Sequence, residues 1–324
     1  APSRRDGDEA GGHQEAVGLT ARIVASPIDV DIDGRTVRLT NLDKILYPSG
    51  FTKAEVVDYH ARIAPTIIPH LAGRCITFRR FPDGTDRDGF FEKRCPAHRP
   101  EWVPVALGPG DRRGGIEYCR IEEPAAMVWA ANLAAIELHA PMALAADLDT
   151  PRALVFDFDP GPRTSIVECC EVALGVRDVL AAVDLEGTCK TSGSKGLQLY
   201  VPLNTPGVTH DATADFALAV GQMMERQLPG RVTTVMAKAE RPGKVFVDWS
   251  QNAHHKTTIA PYSLRARPEP TVSTPVTWGE VERCAGGDVE LRFEPADVLA
   301  RVTEHGDLFE RVLTIEQRLP SASG

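Results

Sequence analysis

The sequence predicts a mixed α/β (α+β) fold, with central β-sheets and flanking helices in one unit built from two lobes. Three observations carry this expectation. Helical and strand-like segments alternate from residue 28 to residue 318, with no internal repeat and no low-complexity linker. Two apolar runs, Leu154–Asp159 and Lys244–Asp248, read as strands that end in carboxylates. Between them, two short strands flank the turn Ser192-Gly-Ser-Lys-Gly196.

In chain order, residues 1–19 are polar and Gly-rich and read as a disordered tail, with no secretory leader. Ile28 to Leu39 alternates as a hairpin around Asp33-Gly34. Thr52-Lys-Ala-Glu55 is a capping box that opens a helix through Leu71, which Pro65 and Pro69 are expected to kink or divide. Ile76–Phe81, Gly89–Arg94 and Ile116–Ile121 follow as extended segments. Pro124 opens an Ala-rich helix to about Leu133, and Ala135–His139 is extended. After the Leu154–Asp159 strand, Thr164 is placed to cap a helix reaching Val183. Asp211 starts another helix to Leu228, and Thr277 caps a short one before further helical turns close near Leu319. The expected organisation is one domain over 20–318, with short tails at 1–19 and 319–324.

Composition bounds the class. The chain has 324 residues, of which 43% are hydrophobic and 25% charged, an ordinary globular balance with ample length for a core. No apolar run approaches the roughly 18–20 residues of a membrane helix. Seven cysteines, an odd number scattered along the chain, read as buried thiols in a reducing cytoplasm. Cys95-Pro-Ala-His98 has a ligand-like spacing, but no second close pair completes a zinc set. The net charge of −9 argues mildly against nucleic acid as a partner. Its distribution argues the other way. Arg231, Lys238, Arg241, Lys244, Lys256, Arg265 and Arg267 are opposed, between 231 and 267, only by Glu240 and Asp248. A basic cleft on an acidic body and an ordinary solvated surface are both compatible with that run.

Three clusters carry chemistry. In Leu154-Val-Phe-Asp157-Phe-Asp159-Pro-Gly161, strand alternation puts Asp157 and Asp159 on one face and Phe156 and Phe158 on the other. Both carboxylates can then bend toward divalent cations, although Asp is also frequent where strands meet turns. In Ser192–Gly196, small residues, hydroxyls and Lys195 suit an anion such as phosphate, although the spacing is not that of a P-loop and a plain hairpin turn uses the same residues. Lys244-Val-Phe-Val-Asp248 adds a third strand-borne acid. Three oxygen ligands beside a Ser/Gly/Lys turn describe a nucleoside-triphosphate site of two-metal type. An aspartate-nucleophile phosphatase also places D-x-D after a strand, but Pro160-Gly161 stands where that class continues differently.

At these residues the sequence resembles the polymerase module of bacterial ligase D, within the archaeo-eukaryotic primase superfamily. The resemblance runs from about Thr40 to Val281 and is carried by six ordered blocks. They are Thr40–Pro48, Gly89–Lys93, Phe156–Gly161, Ser192-Gly-Ser-Lys-Gly-Leu197, Arg241–Asn252 and Tyr262–Pro268. It implies a two-lobed primase-like core and a metal-dependent nucleotidyltransferase that extends primer 3′-hydroxyls and fills short gaps in DNA repair and end joining. Asp157, Asp159 and Asp248 match catalytic ligands for two Mn²⁺ or Mg²⁺ ions. His139, Ser192, Ser194, Lys195, Arg241, Lys244, Gln251 and Arg265 match the nucleotide site. Phe90 and Phe91 match an aromatic pair packing on the template, although adjacent strand residues face opposite ways and only one is then expected to stack. Lys44 and Lys53 match residues that receive a 5′-phosphate. The implied partners are primer–template or gapped DNA with a 5′-phosphate, NTP or dNTP, and Ku with a separate DNA ligase, in a nucleoid-associated cytoplasmic setting without a membrane. A de novo primase and a non-catalytic DNA-end binding module are the alternative readings. No ligase signature follows, so a stand-alone relative or an excised module is expected. One position departs from the pattern: Gln198 stands where the family usually has His, and Gln cannot become cationic.

Overall fold

The computed structural model describes residues 26–110 and 114–320, so the tail expected at 1–19 lies outside the described residues. The chain begins with the hairpin β1 (Ile28–Ile32) and β2 (Arg35–Leu39), turned by Asp33-Gly34 with both residues at positive φ. Helix α1 (Lys53–Leu71) follows, then β3 (Thr77–Arg80) and β4 (Phe90–Glu92). A second hairpin, β5 (Val105–Gly108) and β6 (Ile116–Cys119), leads to α2 (Pro124–Asn132) and β7 (Ala135–Ala140). The small hairpin β8 (Ala143–Leu144) and β9 (Asp147–Pro151) precedes β10 (Ala153–Pro160). Then come α3 (Ile166–Ala181), β11 (Thr188–Thr191), β12 (Leu197–Pro202), α4 (His210–Gln227), β13 (Val232–Thr233) and β14 (Val245–Asp248). The chain closes through β15 (Thr258–Ile259), β16 (Pro275–Val276), α5 (Trp278–Ala285), α6 (Pro295–His305) and α7 (Arg311–Thr314).

Two sheets define the architecture. The larger has six strands in the order β13-β14-β10-β12-β11-β16, antiparallel except for β13 with β14. The other has four, in the order β15-β7-β3-β4. Each has its own core. Leu154, Phe156 and Phe158 of β10 pack with Cys169, Ala173 and Val176 of α3 and Ala217 and Val220 of α4. Val155 belongs to the second core, with α1, α2, Phe78, Ile136 and Leu138. Strand β10 therefore separates the two cores by its alternation, and its C-terminal end delivers polar side chains between them. The phenyl rings of Phe156 and Phe158 lie 6.3 Å apart and nearly parallel.

Most elements follow their sequence signals. The Thr52–Glu55 and Thr277–Glu280 capping boxes both form. At α3 the cap is Ser165 rather than Thr164, whose hydroxyl donates instead to the Gly161 carbonyl at 2.8 Å. Helix α1 is not divided: it runs through Pro65 and Pro69, with Ile63, Ile67 and Leu71 fully buried. Each proline removes one backbone donor, and burial of that apolar stripe outweighs the loss.

The cysteine expectation is corrected at one pair. Cys95 and Cys119 form a disulfide with Cα atoms 4.8 Å apart, tying the chain after β4 to the end of β6. A separation of 24 residues carries no pairing signal; the backbone bond from Cys95 N–H to the Glu117 carbonyl is what brings them together. Cys75, Cys169, Cys170, Cys189 and Cys284 are buried thiols as expected. Among the described residues no helix is long and apolar enough to cross a membrane.

Candidate active site

The carboxylates converge because of strand register. Asp157 lies directly opposite Asp248 across β10 and β14, and Asp159 follows two residues later on the same face. Asp157 and Asp248 are nearly buried, at 9% and 8% exposure. Burial, then the neighbouring Asp159 charge, pushes the Asp157 carboxyl up to about 7. Burial and the Asp248 charge raise Asp159 as well. Asp248 is turned toward its own loop: Oδ1 accepts from the Ser250 hydroxyl at 2.6 Å and Oδ2 from the Gln251 amide at 2.9 Å. Among the described residues no three acidic, His or Cys side chains close into a ready-made ligand cage. Even so, three carboxylates in mutual repulsion on one face form an oxygen-only donor set. Hard divalent cations fit such a set.

Asp157 and Asp159 border a cleft of about 500 Å³ that is also lined by His139, Ser192, Ser194, Lys195, Gln198, Arg241, Gln251, Arg265 and Arg267, whereas Asp248 sits beside it, bonded to the lining residue Gln251. The Ser192–Gly196 turn is a hairpin turn between β11 and β12, closed by the Ser192 N–H bond to the Gly196 carbonyl. The Ser192 hydroxyl accepts from the N–H groups of Ser194 and Gly196, at 3.2 and 3.1 Å. Those amides are thus spent inside the turn, whose residues Ser192, Ser194, Lys195 and Gly196 line the cleft. Gly193 needs its glycine, with φ at +65° and a Cβ position against Val272 and Ser273.

A second group comes from the four-stranded sheet. Glu137 and His139, two apart on β7, share a face with Arg79 of β3. Glu137 is 1% exposed and accepts from Arg265 Nε and the Ala266 N–H, and bonds His139 Nε2, with Arg79 3.3 Å away. Burial alone would raise the Glu137 carboxyl, but His139 and Arg265 override it and hold it well below the usual carboxylate range. Burial likewise lowers His139, against the pull of Glu137. Arg265 also donates to the Ser192 carbonyl, joining the two sheets at the cleft. Glu137 was not singled out from the sequence. Its signal was a carboxylate inside an apolar strand, in step with His139.

Phe90 and Phe91 are both exposed, at 45% and 58%, because β4 is a three-residue edge strand. They face opposite ways, as alternation requires, and each meets an arginine: Arg80 over Phe90 and Arg79 over Phe91, both at 5.3 Å. Phe91 also contacts His139 edge-on at 5.5 Å, on the cleft side. Lys53 is buried, donating to the Thr40 carbonyl at 2.7 Å, while Lys44 pairs with Asp83 at 3.3 Å. Burial, then the nearby charges of Lys44 and Arg80, pushes Lys53 down to about 8. Arg241 stacks 3.6 Å over the Phe246 ring. Lys244 does not line the cleft; its carbonyl accepts the Gly161 N–H, pinning the turn that follows Asp159.

Two sheets meeting at a cleft that gathers Lys195, Arg241, Arg265 and Arg267 around Asp157 and Asp159, with Asp248 paired beside Asp157, fit the polymerase class of nucleotidyltransferase. Over residues 52–309 the chain matches the family described as LigD, primase-polymerase domain, and it belongs to that family. It is 45% identical over 276 residues to the multifunctional non-homologous end joining protein LigD of Mycolicibacterium smegmatis, and 44% identical over 286 to the LigD of Mycobacterium tuberculosis. Those matches cover 84% and 85% of this chain but 35% and 37% of the relatives, so the chain spans about a third of their length. The solved polymerase domain from Mycobacterium tuberculosis ligase D, in complex with DNA, superposes with a TM-score of 0.79 at 41% identity. That match covers 87% of this chain and 99% of the other. The primase-like fold expected from the sequence is the fold observed.

Proposed function

We propose that this chain adds nucleotides to a primer 3′-hydroxyl on DNA, filling short gaps during end joining, with ribonucleotides accepted as well as deoxyribonucleotides. One observation carries the reading: Asp157, Asp159 and Asp248 share a face, and Asp157 and Asp159 border the same cleft as Ser194, Lys195 and Arg265. Asp157, Asp159 and Asp248 would hold two divalent cations, Mn²⁺ or Mg²⁺, which when bound supply activation of the attacking hydroxyl and neutralise the leaving pyrophosphate. The chain's own residues do the rest. Lys195 and Arg265 offer charge to the triphosphate, and the Ser194 hydroxyl adds a directed donor. Glu137 holds Arg265 and His139 in place, so their geometry is set before a nucleotide arrives. Gln251 links the Asp248 carboxylate to the cleft wall. Arg241 reaches the cleft from the loop before β14, whereas Lys244 holds that loop by its backbone.

Phe91 faces the cleft and suits a templating base, since aromatic–base stacking is worth about 1–3 kcal/mol and tolerates any sequence. Phe90 stands on the opposite face, beside Arg80, whose charge is felt at Lys53. A 5′-phosphate across a gap would meet Lys53, Lys44 and Arg80 there. The relatives' names assign them to non-homologous end joining, and the same pathway is inferred here, with Ku and a separate DNA ligase as partners. The test is single-nucleotide extension of a gapped duplex with Mn²⁺ or Mg²⁺, with either nucleotide sugar, and with or without the downstream 5′-phosphate. Extension stimulated by the phosphate is expected. Absence of any nucleotide addition would remove the proposal, and indifference to the phosphate would remove the Lys44 and Lys53 assignment.

A further inference from the structure

The six-stranded sheet carries a polar row that runs beyond the three aspartates. Register places Lys190 of β11 opposite Gln198 of β12, Gln198 opposite Asp157 of β10, and Asp157 opposite Asp248 of β14. Directly paired residues share a face, so these four side chains form one line across the sheet. Lys190 is 0% exposed. Its Nζ donates to Gln198 Oε1 at 2.6 Å and to Ser273 Oγ at 2.8 Å, while the Ser273 hydroxyl donates onward to the Thr191 carbonyl. Tyr200 covers the amine, with its ring centroid 5.6 Å away.

This wiring fixes the direction of the Gln198 amide. The hydroxyl of Ser273 is committed as a donor to Thr191, so Lys190 must donate to it. Lys190 also donates to Gln198, whose oxygen is therefore the atom facing the lysine. The amide NH₂ is left on the opposite side, toward Asp157, which stands opposite Gln198 across β10 and β12. An amide has two N–H groups, and Gln198 also borders the cleft. A buried amine held by neutral partners is costly to keep, and the acid whose charge favours it is Asp157, beyond the amide in the same row.

We propose that Lys190 is a positioning residue of the metal site: it holds Gln198 with its NH₂ toward Asp157, and so fixes the orientation in which Asp157 meets a divalent cation. The inference rests on the polymerase reading above, because it assigns Asp157 to the metal. Outer partners that orient ligands in this way typically set metal affinity by about 10–100-fold.

The experiment titrates Mn²⁺ into wild-type protein, Lys190→Met, Gln198→Leu and the double variant, without DNA or nucleotide. Free Mn²⁺ is read by electron paramagnetic resonance, and folding is checked by circular dichroism and thermal melting. Charge alone gives the opposite sign: removing a cation beside three acids should tighten Mn²⁺ binding. A loss of about tenfold or more in Lys190→Met therefore reports orientation. Gln198→Leu should show a similar loss, and the double variant no more than the larger single loss, because the lysine acts through the amide. Unchanged or tighter Mn²⁺ binding in a folded Lys190→Met protein overturns the proposal, as does a lowered melting point with wild-type affinity. If Lys190→Met fails to fold, Gln198→Leu decides alone: wild-type affinity there overturns it. A wild-type protein that extends primers while the variants keep full affinity sinks only the positioning role. Failure of the wild-type protein to bind Mn²⁺ or to extend primers sinks the polymerase reading too.

Discussion

Single residues in this protein act through the charges around them. Lys53 shows this most directly. Burial, with Lys44 and Arg80 nearby, places its titration near 8, well below a free lysine. Below that pH the side chain is a cation and can pair with a 5′-phosphate; above it the amine is neutral and the attraction fades. Preference for a phosphorylated over an unphosphorylated gap should therefore fall as pH rises through about 8, with the midpoint moved upward by the bound dianion. Lys53→Arg, which stays charged, should flatten that dependence. Fluorescence anisotropy on the two duplexes across the pH range reads it out, and a flat wild-type profile would remove Lys53 from the contact. The Asp pair could be picked out from the sequence because a local rule, strand alternation, covers it, whereas Lys53 is reached only through the family resemblance, since the capping box beside it marks no more than a helix start. Glu137 could not, since its meaning comes from Arg265, 128 positions away. Lys190 was equally silent, being one more lysine until register set it beside Gln198.

At the scale of elements, close backbone contacts hold the loops that carry the site. The turn after Asp159 packs directly on the loop before β14: the Gly161 N–H donates to the Lys244 carbonyl at 2.9 Å. A Cβ at Gly161 would run into the backbone carbonyl of Arg241. Gly161→Ala should therefore shift the loop and destabilise the fold by about 1–3 kcal/mol, as overpacking does. It should lower extension as well, because that loop carries Arg241 and leads into Asp248. Urea unfolding tests the first part, and a change within about 0.5 kcal/mol, the range of an indifferent surface site, would contradict it. In the sequence, Pro160-Gly161 serves only to separate the chain from an aspartate-nucleophile phosphatase. The sequence did not show that glycine is needed for a backbone crossing, because the partner loop lies 80 residues further on. Similar reasoning explains α1. Its two prolines argue for a break in isolation, and the core against Ile63 and Ile67 decides otherwise. The Cys95–Cys119 disulfide, set by the approach of β6 to the chain after β4, is likewise invisible to spacing rules.

At the scale of the whole molecule, two hydrophobic cores leave a polar seam between them. The six-stranded sheet brings the acids and the Ser192–Gly196 turn to that seam, and the four-stranded sheet brings His139, Glu137 and the exposed Phe91. Arg265 ties the two sides together through Glu137 and the Ser192 carbonyl. Lys195, Arg241, Arg265 and Arg267 gather around the acids of the cleft, so a net charge of −9 is compatible with the proposed nucleic-acid partner. The central claim is that Asp157, Asp159 and Asp248 are the seat of nucleotide addition. Its most direct test is the single-turnover rate of extension on a gapped, 5′-phosphorylated duplex for wild-type protein and Asp159→Ala, with DNA affinity measured in parallel. A rate loss of about a hundredfold or more is expected, the scale of removing a group that stabilises developing charge, with DNA binding retained. An Asp159→Ala protein that binds DNA and extends primers at the wild-type rate would contradict it.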